Sequence, residues 1–281
     1  MKKIIVPTDF SSASKTAYVY ARELAKKWDL KIELVHYFLP QADPGYPKVH
    51  PLVKDSIPEK IKALNQFRNR TTAPNDSGVA IAVDVKTRVE LGYPSEELVK
   101  LSNDPEVDLI VMGTTGEGNV LNKLFGSVSS FVSRKANCPV LLVPKGAKFQ
   151  NFTNVLYTSN YDSTDKAILT KVKDLAAYFQ SSVHFIHVEE ENEIIPFADL
   201  EGEIFDTMFE GGEPSFSFYM SSISGNTVED SLNEYIKNND IDLTVMVCPH
   251  RSFWDNIFHK SLTKTMAMTT DVPILVYHID Y

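Results

Sequence analysis

Cysteine and long apolar runs are both scarce in this sequence. Its two cysteines, Cys138 and Cys248, stand far apart in 281 residues, and the early apolar run Ile4–Val6 is too short for a secretory signal. No uninterrupted apolar run approaches the roughly 20 residues of a membrane-spanning helix. We therefore expect a cytoplasmic protein with no membrane partner, whose cysteines stay reduced.

Basic residues are outnumbered by acidic ones. The chain has 28 lysines and arginines against 37 aspartates and glutamates, which gives a net charge of -9 at pH 7. Nucleic acids and anionic membranes are themselves negative, so this balance argues against sequence-independent binding to either. We expect no nucleic-acid partner, although a local basic pocket is compatible with the count.

Motifs of several enzyme classes are missing from the sequence. It contains no Walker-type Gly-Lys-Ser/Thr after a glycine loop, no serine elbow, and no pair of carboxylates placed for hydrolysis. His184 and His187 lie on a predicted strand, where this separation sends the two rings to opposite faces. Cys248, His250 and His259 match no zinc-binding spacing. The sequence therefore assigns no catalytic residue and no metal ligand, and it does not favour an enzyme.

Short apolar strands alternate with helical patterns along the chain. Ile4–Val6 is the first predicted strand, and the next segment carries small apolar residues at helical spacing. The segment 39–58 holds five prolines and a glycine, which predicts an irregular loop. This alternation indicates a parallel sheet with helices on both faces.

The second half of the sequence repeats the first. Lys3–Phe10 matches Asn154–Tyr161, and Asp108–Met112 matches Asp242–Met246. An acidic insertion and the stretch that follows it, up to Pro214, match no element. We therefore predict an α/β chain of two tandem doubly wound domains, each a five-stranded parallel sheet in the order 3-2-1-4-5. The predicted boundaries are 1–145 for the first domain, 146–151 for the linker and 152–281 for the second domain.

Three glycines follow the fourth strand at fixed spacing. The strand stops at Gly113, Gly116 follows, and Gly126-Ser127 starts the next helix. Glycine has no Cβ and lets a backbone approach a phosphate, while the N–H groups and dipole of a helix N-terminus attract an anion. In a doubly wound sheet the ligand crevice lies where the strand order reverses. Asp9, after the first strand, and Gly113 should therefore flank it.

The spacing Gly113-x2-Gly116-x9-Gly126-Ser127 resembles the nucleotide-binding signature of the universal stress protein family. The resemblance also covers the start of the chain and, more weakly, its second half. It implies a tandem member that binds ATP, with or without Mg²⁺. It further implies that Asp9 meets the adenine or ribose, that the backbone near Val35 borders the base, and that the glycines and serine hold ribose and phosphates. The predicted ligand-contacting residues are Pro7, Thr8, Asp9, Val35, Gly113, Thr114, Gly116, Gly126, Ser127 and Val128.

Some of these residues have simpler explanations. Asp9 can cap the first helix, although Ser11 or Ser12 can do the same. Thr114 can donate a hydroxyl to a ligand or only solvate the turn, and Lys123 can neutralise a phosphate or remain in solvent. The sequence alone leaves these alternatives open.

The second copy departs from the pattern at the matching positions. Val247, His250 and Lys260 replace the three glycines, Asn160 replaces the aspartate after the first strand, and Ser261 keeps its type. Large side chains then stand where a phosphate would approach. We predict one working nucleotide site, in the N-terminal copy.

These observations favour a regulatory module, an adenine-nucleotide-binding stress-response protein. Two alternatives remain. One is a slow ATPase or phosphoryl-transfer enzyme at the same crevice, and the other is a scaffold that binds a partner through the C-terminal copy without nucleotide. The resemblance also implies that the two copies pair as a pseudo-dimer through their fifth strands, with a further homodimer as an option.

Overall fold

The computed structural model describes residues 2–39, 52–72, 83–114, 126–158, 166–188, 197–225, 227–249 and 262–279. Contacts between Cα atoms divide the chain into two compact units, residues 1–149 and 150–281. We call these the first unit and the second unit. In the described part of the chain, no helix is both long and apolar enough to cross a membrane.

The first unit is a parallel sheet with the strand order β3-β2-β1-β4-β5. This confirms the predicted fold class and order. Its elements are β1 (Lys3–Pro7), α1 (Ser12–Trp28), β2 (Lys31–Phe38), α2 (Leu52–Thr72), β3 (Val85–Leu91), α3 (Pro94–Leu101), β4 (Val107–Gly113), α4 (Ser127–Lys135) and β5 (Val140–Val143).

The helices of the first unit form two pairs. α1 contacts α2, and α3 contacts α4, while all four also contact the sheet. The connections from β1 to β3 run in one direction across the sheet and the later ones run in the other. Because such crossovers are right-handed, the reversal places the two pairs on opposite faces. The central strand β1 is thereby covered on both sides, and Ile4, Ile5 and Val6 are fully buried.

Helix α1 forms because its sequence supplies a cap and an apolar face. The hydroxyl of Ser11 accepts a hydrogen bond from the N–H of Ser14 at 3.2 Å, which satisfies one of the open donors of the first turn. The helix ends at Asp29, whose backbone is left-handed with φ 52°, and the N–H of Leu30 returns to the carbonyl of Ala25 at 2.9 Å.

The second unit is also a parallel sheet, with the order β10-β9-β6-β7-β8. Counted from its own first strand, this is the order of the first unit, as the repeat predicts. Its elements are β6 (Asn154–Thr158), α5 (Lys166–Phe179), β7 (Ser182–Val188), α6 (Phe197–Phe209), β8 (Ser217–Ile223), α7 (Val228–Asn238), β9 (Leu243–Pro249), α8 (Leu262–Thr269) and β10 (Ile274–Ile279).

The turn after the first helix is the same in both units. Gln180, which follows α5, is left-handed with φ 55°, and the N–H of Ser181 returns to the carbonyl of Ala176 at 2.9 Å. These are the conformation and the bond found at Asp29 and Leu30.

One expectation about local structure is wrong. Helix α2 begins at Leu52 and contains Pro58, whereas the prolines predicted a loop up to that residue. An interior proline removes one helical hydrogen bond and costs about 3 kcal/mol, but the apolar face that follows, with Leu64 fully buried, outweighs it. Helix α6 lies in the stretch after the acidic insertion, for which the sequence predicted no element.

Candidate functional site

A cleft of ≈ 240 Å³ opens in the first unit at the carboxyl ends of β1 and β4. This is the point at which the strand order reverses, where ligands bind in doubly wound sheets. Eight of the ten predicted ligand-contacting residues line it. The described lining residues are Pro7, Thr8, Asp9, Ser11, Ser14, Val35, His36, Tyr37, Pro94, Leu98, Met112, Gly113, Gly126, Ser127, Val128 and Ser129.

The turn between β1 and α1 forms one wall of the cleft. The hydroxyl oxygens of Thr8 and Ser14 lie 2.9 Å apart, and the N–H of Phe10 donates to the Thr8 hydroxyl at 2.9 Å. Oδ1 of Asp9 accepts from the N–H of Ser11 at 3.0 Å. Since Ser11 is itself the N-cap of α1, Asp9 fixes the turn and does not cap the helix. Its side chain is exposed at the mouth of the cleft.

His36 is a cleft residue that sequence reasoning missed. Its Nδ1 lies 2.8 Å from the carbonyl oxygen of Thr8. A carbonyl only accepts, so Nδ1 carries the proton and donates. Burial lowers the pKa of His36, with a smaller lowering by Lys60, against the opposing effects of the Thr8 bond and Asp9. The ring is therefore neutral at pH 7.

Nε2 of His36 is buried and has no hydrogen-bond partner among the described residues. In the neutral ring this nitrogen can only accept a hydrogen bond. The ring of Phe10 packs on His36 with centroids 4.5 Å apart, although the backbone of Phe10 is left-handed with φ 67°. Two signals in the sequence could have indicated this residue. It follows Val35 at the end of the second strand, and it aligns with His187 when the second strands of the two copies are matched.

Gly113 allows β4 to approach α1. An added Cβ there would lie 2.8 Å from the backbone carbon of Ala13 and 2.9 Å from its carbonyl oxygen. The carbonyl of Gly113 accepts from the Ser129 hydroxyl at 2.7 Å, which ties the end of β4 to α4. Gly113 therefore has a packing reason to be glycine, besides the one that the sequence suggested.

Helix α4 presents its N-terminus to the cleft. Its N-cap is Gly126, no side chain caps it, and its first turn contains no acidic residue. The N–H groups of the first turn and the positive end of the helix dipole can therefore act on an anion. Leu98 and Met112, both buried, add an apolar surface to the same cleft. This combination suits a ligand with both a flat apolar part and a negative part.

Among the predicted residues that the structure describes, one does not line the cleft. Thr114 is buried, its N–H donates to the Val143 carbonyl at 3.2 Å, and its carbonyl accepts from the N–H of Gly126 at 2.8 Å. Gly116 lies outside the described residues, as does Lys123.

The second unit places Val247 near the end of β9, the position of Gly113 in β4. Its other predicted replacements, Asn160, His250, Lys260 and Ser261, lie outside the described residues.

Metal-binding and thiol chemistry have little support in the part of the chain that the structure describes. No group of three or more potential ligands for a metal ion occurs there. Neither Cys138 nor Cys248 forms a disulfide. Burial raises the pKa of Cys138 to about 12, so its thiol is protonated at neutral pH.

Comparison with known proteins identifies the family. The family model described as the universal stress protein family matches residues 1–144. The chain is 31% identical over 154 residues to universal stress protein MJ0531 of Methanocaldococcus jannaschii, an alignment that covers 52% of this chain and 84% of that protein. It is 30% identical to MJ0577 of the same organism, over 51% of this chain and 95% of the relative.

Solved structures also match both halves of the chain together. A universal stress protein from Archaeoglobus fulgidus aligns with a TM-score of 0.76 over 98% of each chain, at 18% sequence identity. This likeness supports the fold of the whole chain. Because the family model matches residues 1–144, just over half of its length, the chain belongs to the universal stress protein family.

Proposed function

We propose that the first unit binds an adenine nucleotide, ATP in the first instance, in the cleft between β1 and β4. The observation that carries the proposal is the uncapped N-terminus of α4, which lies on a cleft with an apolar wall at the reversal of the sheet. The phosphates lie against the first turn of α4, at Gly126, Ser127 and Val128. Asp9 accepts from the ribose or the base, and the backbone at Val35 borders the base.

The bound nucleotide acts as a signal in this proposal, because a ligand that binds only the folded form stabilises it. Hydrolysis is the weaker alternative. Among the described residues that line the cleft, Asp9 is the one carboxylate. Mg²⁺-dependent phosphoryl transfer usually needs oxygen ligands and a residue that orients the attacking group. Binding with or without Mg²⁺ is compatible with this set.

The second unit is a silent copy in this proposal. Valine at position 247 adds a side chain where the first unit has glycine. Two further proposals accompany it, namely that the protein acts in the cytoplasm and that the copies pair through their fifth strands. The alternative function is that of a scaffold, which binds a partner protein through the second unit and needs no nucleotide.

Nucleotide content after purification tests the proposal. The protein is purified without added ligand and denatured, and the released compounds are identified by mass spectrometry. The test variant is Gly126→Val, whose backbone at φ -61° and ψ 140° accepts a valine without strain. The matched control is Lys260→Val, the same new side chain at the counterpart in the second copy.

About one adenine nucleotide per chain, lost in Gly126→Val and kept in Lys260→Val, supports the proposal. Saturating ATP, at about 100 times its Kd, should then stabilise the wild type by about 2.7 kcal/mol. Two nucleotides per chain contradict the silent second copy. An empty protein with no thermal shift in ATP refutes nucleotide binding and favours the scaffold.

A further inference from the structure

The two units carry opposite net charges. Residues 1–149 contain 21 basic and 16 acidic residues, whereas residues 150–281 contain 7 basic and 21 acidic residues. Within the second unit, the stretch 174–236 has 14 acidic residues and no lysine or arginine. The net charge of the whole chain therefore originates in this stretch, which includes α6 and β8.

Aromatic side chains are exposed within the same stretch. On α6, Phe205 is 47% exposed and Phe209 is 37% exposed. Their rings stack with centroids 4.4 Å apart, and both rings contact Phe218 of the edge strand β8. Neighbouring exposed apolar side chains with polar residues around them can mark a site of protein–protein interaction.

A groove of ≈ 680 Å³ runs between α5 and α6 beside these rings. Its described lining includes Phe209 and three acidic residues of α6, namely Glu203, Asp206 and Glu210. Lys166 pairs with Glu210 at 3.0 Å. In the described part of the chain, no ion pair neutralises Glu203 or Asp206. The ammonium of Lys173 also donates to the carbonyl of Glu210 at 2.6 Å. With three carboxylates against two lysines, the groove combines an apolar edge with an excess of negative charge.

We propose that this acidic aromatic surface, made of Phe205, Phe209, Glu203 and Asp206, binds a basic amphipathic segment of a partner protein. The apolar side chains of such a segment cover the two phenylalanines, and its lysines or arginines face the two carboxylates. This complementarity disfavours two other occupants. The surface repels an anionic membrane, and a second copy of the same surface carries the same charge. The proposal does not depend on nucleotide binding by the first unit.

Binding of a labelled peptide to the full-length protein tests the proposal. The probe is an 18-residue amphipathic helix of leucine and lysine, and its Kd is measured by fluorescence anisotropy. A scrambled peptide of the same composition and an amphipathic leucine–glutamate peptide are the control ligands. Spermine, added as a competitor, separates a purely cationic ligand from an amphipathic one.

Two pairs of variants assign the binding to this surface. The double variant Phe205→Ser, Phe209→Ser removes the rings. Its control is Tyr219→Ser, because Tyr219 is also an exposed aromatic residue but points to the face of β8 opposite to that of Phe218. Glu203→Gln with Asp206→Asn removes the charges, and its control is Glu234→Gln on α7. Circular dichroism verifies that each variant keeps its helix content.

The proposal expects the leucine–lysine peptide to bind, and the other two peptides to bind at least tenfold more weakly. Loss of the two phenylalanines should raise Kd by about tenfold or more, as at interface hot spots. Loss of the two carboxylates should raise Kd several-fold at low salt, with less effect at high salt. Neither control variant should change Kd more than twofold.

Three results would overturn the proposal. The first is absence of binding by the leucine–lysine peptide. The second is binding that spermine abolishes and that the phenylalanine variant leaves unchanged, because only charge then matters. The third is sedimentation that shows the wild type self-associating and the phenylalanine variant monomeric, because a second copy of the chain then covers this surface.

Discussion

Replacing Gly113 with alanine tests how closely β4 packs against α1 at the edge of the cleft. The new Cβ would lie 2.8 Å from the backbone carbon of Ala13, 2.9 Å from its carbonyl oxygen and 3.0 Å from its Cβ. Two of these three atoms belong to the backbone, so no rotation of a side chain relieves the contact. Either β4 or the start of α1 has to move, and interiors resist such movement because they are closely packed.

The expected effect follows from two opposing contributions. Overpacking against a rigid neighbour costs about 1–3 kcal/mol. Alanine also restricts the unfolded chain more than glycine does, which raises the free energy of unfolding by about 0.4–1 kcal/mol. We expect Gly113→Ala to lower the free energy of unfolding of the first unit by about 1–2 kcal/mol, which corresponds to a fall in Tm of about 3–6 °C for a unit of this size.

Urea unfolding followed by circular dichroism measures this loss, and hydrogen exchange of peptides from α1 and β4 assigns it to the first unit. The matched control is Gly202→Ala. Gly202 lies in α6, and a Cβ there would meet nothing within 4 Å. The control should stabilise α6 by about 0.5–1 kcal/mol, because alanine is the better helix former. A Gly113→Ala protein as stable as the wild type would refute the packing argument.

Three further changes test the cleft. Burial lowers the pKa of His36 in the folded state. Below about pH 6.5 the unfolded state therefore binds more protons than the folded state does, and the free energy of unfolding should decrease as the pH is lowered. Urea midpoints should fall less in His36→Gln, and an equal fall would exclude this histidine as a cause. Ser129→Ala removes the 2.7 Å bond to the Gly113 carbonyl and should cost about 1 kcal/mol in thermal unfolding, whereas a loss below about 0.3 kcal/mol would show that this bond is dispensable. Asp9→Asn keeps the acceptor for the Ser11 N–H and should preserve stability but reduce nucleotide content, whereas Asp9→Ala should reduce both; equal nucleotide content in all forms would contradict a contact with Asp9.

The fold could be predicted from the sequence because its signals are regular. Alternating strand and helix patterns fix a parallel sheet, and the match of Lys3–Phe10 with Asn154–Tyr161 shows that the pattern occurs twice. The boundaries of α2 were harder to predict, because the sequence shows only the local cost of Pro58 to a helix. The compensating burial of Leu64 becomes visible only when the helix packs on the sheet.

The position of the cleft was predictable from the sequence, but its details were not. The ends of β1 and β4 meet at the reversal of the sheet for topological reasons, which brings Asp9 and Gly113 to one cleft. Side-chain direction does not follow from topology. Thr114 turns out to be buried, and His36 reaches the Thr8 carbonyl across neighbouring strands, a contact between residues 28 positions apart.

The shared turn after α1 and α5 has a consequence for how a duplicated chain diverges. Asp29 and Gln180 keep one backbone conformation although their side chains differ, and both precede the amino ends of strands. The cleft of the first unit lies at the other ends of the strands, the carboxyl ends. The turns that return the chain to the sheet and the residues that line the cleft are therefore spatially separate. A residue at the carboxyl end of a strand can differ between the two copies, as Gly113 and Val247 do, while the shared turns continue to specify the same architecture.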